Sequence, residues 1–202
     1  YTKGTGGNPI KLFESLSPRI FADPRLNVER VNFIPKKKWP EKSIVFFCGQ
    51  ATEQWGPDTL AKGMGGSEEA IVYLSRELAK LGWQVTVYND REEEYIDTWN
   101  YGQAKLLHPP IYKPWTLFNP QDEFDVFVGW RIPQLTRGIK ARKKAVDLHD
   151  CPVGHATITN ADVENTDVFM FKSNFQTTYA PNVPKEKQVI VGNGIVRSQF
   201  DE

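Results

Sequence analysis

The chain has 202 residues, enough for one α/β domain with a substantial core, or one domain plus an arm. Lysine plus arginine and aspartate plus glutamate number 25 each, a balance that calls for neither nucleic acid nor an anionic membrane as partner. No stretch approaches the roughly 20 apolar residues of a transmembrane segment, and none reads as a signal-peptide core. The basic runs Lys36-Lys37-Lys38 and Lys140-Ala141-Arg142-Lys143-Lys144 read as solvated faces, since nothing interleaves with them to make a nucleic-acid surface. Cys48 and Cys151 lie far apart, match no metal-ligand spacing, and read as free thiols of a reducing, cytoplasmic compartment.

In chain order, residues 1–42 form an N-terminal arm without a core of its own. Tyr1 to Asn8 read as mobile, Pro9 to Leu16 as one short helix, Asp23-Pro24-Arg25 as a turn and Pro35 to Pro40 as extended chain. From Ser43 to the end, strands alternate with helices or crossovers. Ser43 to Cys48 is a continuous apolar run of the kind expected in a parallel sheet covered on both faces. A long loop over 49–65 leads to a helix over 67–81, with Ser67 as N-cap, Glu68 and Glu69 in the first turn, Ile71, Leu74, Leu78 and Leu81 on the apolar face, and Gly82 as its stop. Gln84 to Tyr88 is the second strand, and a right-handed crossover makes the two strands parallel. After the charged loop Arg91 to Glu94, Lys105 to Leu107 and Tyr112 to Phe118 read as short extended pieces broken by prolines. Strands follow at 124–130, 144–148, 168–171 and 188–191, with short helices over 133–139 and from Ser173 to about Tyr179. The whole pattern predicts a doubly wound, mostly parallel α/β sheet.

In such a sheet, ligands bind outside the carboxyl ends of the strands. Those ends gather the loop Lys62-Gly63-Met64-Gly65-Gly66-Ser67-Glu68, Asn89-Asp90, Trp130-Arg131, His149-Asp150 and Lys172-Ser173. The glycines have two readings: a backbone cradle for a phosphate at a helix start, or a tight strand-to-helix turn. The loop has neither the order of a P-loop nor that of a dinucleotide fingerprint. No serine or cysteine sits in a nucleophile elbow, and no metal-ligand spacing appears. His149 is the leading candidate for chemistry, because an imidazole titrates near neutrality and also hydrogen-bonds hydroxyls. Arg131 either contacts ligand or pairs with Asp147 or Asp150. His108 and His155 read as exposed or structural. Trp115 and Trp130 read as core, and Trp55, in the long loop, is kept as a candidate for stacking on a sugar.

The motifs Lys62-Gly63-Met64-Gly65-Gly66-Ser67-Glu68, Asp125 to Arg131, Val146 to Asp150, Phe171 to Gln176 and Val189 to Ile195 occur in the order seen in one family. Together, over roughly residues 43–200, they resemble the amino-terminal domain of retaining glycosyltransferases of the GT-B fold, family GT4. The resemblance implies a Rossmann-like half-domain over 43–202 that transfers a sugar from a nucleotide-sugar donor to a glycan, lipid-linked or other hydroxyl acceptor, without a metal or further cofactor. It implies that Gly65 and Gly66 approach the donor diphosphate and the acceptor, that Glu68 is the acidic residue opening the first helix, and that His149 reaches the donor sugar. Ser67, Arg131, Asp150 and Ser173 join them as candidate binding residues. The family's basic pair and E-x7-E motif belong to a carboxyl-terminal donor-binding domain that these residues do not contain. The chain, which starts at Tyr1 rather than Met and runs just past Asn193-Gly194, is therefore expected to be the acceptor-side part of a larger enzyme, inactive alone. A non-catalytic Rossmann-like module that binds a nucleotide, a sugar or a protein is the alternative.

Overall fold

The structure, a computed structural model, describes residues 9–99 and 106–194. The expectations for Tyr1 to Asn8, Lys105 and Ile195 lie outside them. Among the described residues, eight strands form one sheet: β1 (Ser43–Phe47), β2 (Gln84–Asn89), β3 (Tyr95–Ile96), β4 (Ile111–Pro114), β5 (Glu123–Trp130), β6 (Lys140–Asp147), β7 (Val168–Phe171) and β8 (Gln188–Ile190). Their order is β3-β4-β2-β1-β5-β6-β7-β8. Every pair is parallel except β3 with β4, so the sheet is Rossmann-like, with one short antiparallel edge. Among the described residues, six α-helices accompany it: α1 (Pro9–Glu14), α2 (Pro18–Phe21), α3 (Asn27–Phe33), α4 (Gly66–Lys80), α5 (Asn160–Asn165) and α6 (Asn174–Thr177).

Helix α4 joins β1 to β2 and covers one face. Its Ile71, Val72 and Ala79 are buried against Ile44, Phe46, Val85, Val87 and Tyr112, and full burial of a side chain such as Ile71 or Val72 contributes about 1.5–3 kcal/mol. The buried stripe is turned from the predicted one: Leu81 is exposed, while Ser75 and Arg76 are buried. Tyr112 and Asp97 draw them in. Ser75 Oγ and the Tyr112 hydroxyl lie 2.6 Å apart, and Arg76 Nε donates to Asp97 Oδ2 at 2.7 Å.

The opposite face is covered differently on its two halves. Over the first, Phe118 caps Phe47, Tyr88 and Phe127. The arm docks beside it. Arg30, 4% exposed, donates to the carbonyls of Phe21, Asp23 and Thr116, and Trp39 packs on Phe124. Residues 37–39 hydrogen-bond alongside Glu123 at the start of β5. Among its described residues the arm holds three short α-helices where one was expected. Over the second half, Val146, Leu148, Phe169 and Phe171 bury against Ile158, Ala180 and Val183.

Several local expectations are corrected. β6 begins at Lys140, inside the basic run, because Lys140, Arg142 and Lys143 pair with Glu123, Asp125 and Asp167 beside it. Tyr112 to Phe118 splits into β4 and a 3-10 turn, Trp115–Leu117. Residues 133–139 hold a 3-10 turn at Pro133–Thr136 instead of an α-helix. The long loop 49–65 contains a 3-10 segment, Pro57–Lys62. Helix α5 was not anticipated; Thr159 and Asp162 cap its start reciprocally.

From β1 the chain steps to β2 on one side, and from β5 to β6 on the other. The carboxyl ends of β1 and β5 therefore flank the topological switch point, where open α/β sheets bind ligands.

Candidate functional site

The glycine loop reaches the switch point with its backbone exposed at Gly63, Gly65 and Gly66. Only Gly63 has a positive φ, 85°; Gly65 is the N-cap of α4 in an extended conformation, and Gly66 is the first helical residue. Ser67 is therefore not the cap. Its hydroxyl donates to Glu68 Oε2 at 2.6 Å, and the Glu68 carboxylate folds back over Gly65, where an added Cβ would collide with Oε2. A carboxylate at a helix start complements the dipole and occupies the place an anionic ligand would take.

Arg131 follows β5 in the left-handed conformation, φ 66°, an uncommon state for a residue with a Cβ. Its Nε and Nη2 both reach Asp150 Oδ2, at 2.7 and 2.6 Å, its Nη1 lies 3.9 Å from Glu68 Oε1, and its guanidinium covers the Trp130 ring. Of the two pairings foreseen for Arg131, the one with Asp150 forms.

His149 has a different carboxylate from the one beside it in sequence. Its Nε2 lies 3.0 Å from Asp147 Oδ2, and Asp147 Oδ1 accepts from Lys172 Nζ at 2.6 Å. The side chains of His149 and Asp147 are 3% and 2% exposed, so this cluster lies beneath the rim. Burial works to raise the Asp147 pKa, but the hydrogen bond and charge of His149 and the charge of Lys172 outweigh it and hold the carboxyl below its usual range. His149 Nδ1 is buried without a hydrogen-bond partner, as is Nε1 of Trp130, whose ring centroid is 6.1 Å from that of His149.

Ser173 is exposed at the edge of this group, and its hydroxyl caps α6 by accepting from Gln176 N at 3.2 Å. Gln176, which ends the Phe171 to Gln176 motif without a role assigned to it, donates to the carbonyls of Leu148 and Asp150 and accepts from Lys172 N, tying the His149 loop to α6. Asp147 and Lys172 were likewise not singled out as site residues. An i, i+2 signal was available for the first, since Asp147 and His149 extend to the same side of a strand.

The other rim expectations resolve into structure. Trp55 is 3% exposed, packed against Trp130 and Tyr112, so it is core and not a stacking platform. Asn89 Nδ2 donates to the Trp55 carbonyl, and Asp90 accepts from Ala51 N; both pin the long loop. Trp115 is half-buried, Trp130 buried, and His155 exposed. Cys48 and Cys151 are free thiols, the first fully buried, and burial pushes its pKa well up.

A groove of about 580 Å3 lies at the opposite end of the sheet, between Trp39, Glu123 and Arg142. Its charges already neutralise each other in the Lys140–Glu123 and Arg142–Asp125 pairs, and it lies at the amino ends of the strands. The switch-point rim is thus the better candidate. There Glu68 and Asp150 face Arg131, and beneath them Asp147 is shared by His149 and Lys172, so the basic side chains already have carboxylate partners. Among the described residues, no group of three or more His, Cys, Asp or Glu is arranged to hold a metal ion, and no helix is long and apolar enough to cross a membrane.

No protein-family model matches the chain, and no curated protein or solved structure is significantly similar to it.

Proposed function

We propose that this chain is the amino-terminal, acceptor-side part of a retaining glycosyltransferase of the GT-B fold and family GT4, working with a carboxyl-terminal donor-binding domain in the cytoplasm. It would transfer a sugar from a nucleotide-sugar to a hydroxyl of a glycan or lipid-linked acceptor. The observation that carries the reading is the meeting of Gly65, Gly66, Arg131 and the buried His149 cluster at the switch point of a Rossmann-like sheet. Breaking the bond to a diphosphate builds negative charge on the leaving group and positive charge on the sugar ring. The exposed amides of Gly65 and Gly66 supply hydrogen bonds to the first, and the carboxylates of Glu68 and Asp150 favour the second. The remaining positive charge for the diphosphate comes, in this reading, from the second domain.

The test is a titration of the isotope-labelled chain with UDP-glucose and GDP-mannose, followed by amide shifts. The reading requires perturbation centred on Gly65, Gly66, Arg131 and His149. Perturbation confined to the groove at Trp39 and Arg142 refutes it.

A non-catalytic binding module is the second reading, favoured by one observation: the His149 ring is sealed from solvent, with Nε2 already engaged by Asp147. Turnover of a nucleotide-sugar by the full-length protein would exclude it.

A further inference from the structure

We propose that the cavity between the N-terminal arm and the sheet is a second binding site, for a small monoanion with an apolar body, of the arylcarboxylate class. It shares no residue with the switch-point rim and does not depend on the reading given for that rim.

The cavity, about 230 Å3, lies where α3 and the chain after it face β2, β4 and the turn at Trp115–Leu117. An apolar cavity of roughly 150 Å3 admits benzene, so this one has room for a ring and a short acidic arm. Its walls are Phe21, Val31, Ile34, Leu117 and Phe118. Its charged groups are mostly of one sign: Arg30, Lys37 and Lys113 against the carboxylate of Asp122.

Arg30 is the sharpest case. It is 4% exposed, and its acceptors are all neutral: the carbonyls of Phe21, Asp23 and Thr116 and the side-chain oxygen of Asn27. Buried charges are ordinarily paired, because an ion taken out of water loses solvation that neutral dipoles restore only in part. The carboxylates of its own arm are engaged elsewhere or in solvent: Asp23 is held by Arg25 at 2.6 Å, and Glu29 is exposed. Burial holds the Arg30 pKa below its usual value against the attraction of both.

The remaining charges fix the valence of the missing partner. Lys113 is matched by Glu94 at 2.8 Å. Lys37 has no ion pair among the described residues, and its ammonium rests 3.5 Å from the centre of the Trp39 ring. Asp122 accepts from Lys37 N and Trp39 Nε1 and offsets one of the two cations still unmatched. One positive charge is left over, which a monoanion cancels and a dianion exceeds. Tyr88 adds a donor. It is 5% exposed and lines the cavity, and its hydroxyl makes no hydrogen bond among the described residues without being one of the fully enclosed polar atoms. Burial pushes the Tyr88 pKa up, so the hydroxyl keeps the proton it would donate. A carboxylate, with acceptor oxygens alone, suits a site lined by unmatched donors.

The probe is phenylacetate, set against phenylacetamide, which has the same shape without the charge. Each is titrated into the isotope-labelled chain and followed by amide shifts. Phenylacetate should shift Val31, Ile34, Lys113 and Phe118 with a Kd on the order of 1 mM, the range open to so small a ligand. Phenylacetamide should bind at least about tenfold more weakly, the worth of a charge-assisted contact. Lys37→Met should weaken phenylacetate about fivefold and leave phenylacetamide unchanged, and Tyr88→Phe should weaken phenylacetate by a similar factor. Lys37 is exposed, so its variant folds whatever becomes of Tyr88→Phe. Equal affinity for acid and amide, shifts confined to residues outside the cavity, or no cavity shift at about 10 mM phenylacetate overturns the proposal. So does phenylacetate binding that neither substitution alters.

Discussion

Alanine at each of the three glycines separates what the fold needs from what a ligand needs. Gly63 has φ 85°, where a Cβ is strained whatever the surrounding space, so Gly63→Ala should cost about 1–2 kcal/mol. Gly65 has an ordinary extended backbone, and its new Cβ would meet only the end of the Glu68 side chain. Displacing that carboxylate forfeits the part-buried Ser67 hydrogen bond, about 0.5–1 kcal/mol. Gly66 opens α4, and nothing lies within 4 Å of its ideal Cβ. Gly66→Ala should therefore be neutral or stabilising by up to about 1 kcal/mol, through helix propensity and a less disordered unfolded chain. Urea unfolding measures all three. The same proteins are then titrated with UDP-glucose, where Gly66→Ala should lose the shifts at Arg131 and His149, because the methyl group stands where the ligand approaches the backbone. Loss of more than about 1 kcal/mol in Gly66→Ala would mean that the fold demands this glycine, and unchanged ligand shifts would reduce the loop to a turn.

Three further outcomes follow. Because the Asp147 carboxyl is held below its unfolded value near 3.9, its contribution to stability is present above about pH 4 and lost as pH falls through the folded value; Asp147→Asn should flatten that part of an acid unfolding curve. Arg30→Met removes the donor to three backbone carbonyls and should cost on the order of 3 kcal/mol, with faster proteolysis within residues 9–38 as the readout. Ser173→Ala should cost about 1 kcal/mol in urea unfolding through the lost α6 cap. It should leave UDP-glucose shifts intact if Ser173 only caps, and a weakened titration would place its hydroxyl in the site.

The strands whose side chains are buried announced themselves. Ser43 to Phe47, Phe124 to Trp130 and Val168 to Phe171 are apolar runs because both faces of a parallel sheet are covered there. The first half of β6 did not, since Lys140 to Lys144 is stabilised by ion pairs with neighbouring residues that no periodicity reveals. β3 has only two residues and closes an acidic loop, below the length at which alternation can be read. Helix α5 had a legible start, the Thr159-x-x-Asp162 capping box, but only six residues and no apolar stripe to support it. The arm was obscured by Arg30, an arginine that reads as surface and is instead a buried clamp on backbone carbonyls.

The site was legible as a set of strand ends and illegible as a set of partners. Sequence adjacency paired His149 with Asp150, but adjacent residues of an extended chain point to opposite sides, so His149 turns to Asp147 and Asp150 turns to Arg131. Lys172 enters only through the register of β6 on β7, in which Asp147 lies opposite Met170. Nor does a chain with equal numbers of acidic and basic residues disclose that Arg131 meets Glu68 and Asp150 while His149 and Lys172 share Asp147. That pairing limits the chemistry more than any motif does. Arg131 and Lys172 are each already committed to a carboxylate, so a diphosphate held at this rim must find its counter-charge on another surface. A sugar, with hydroxyls that both donate and accept, needs none.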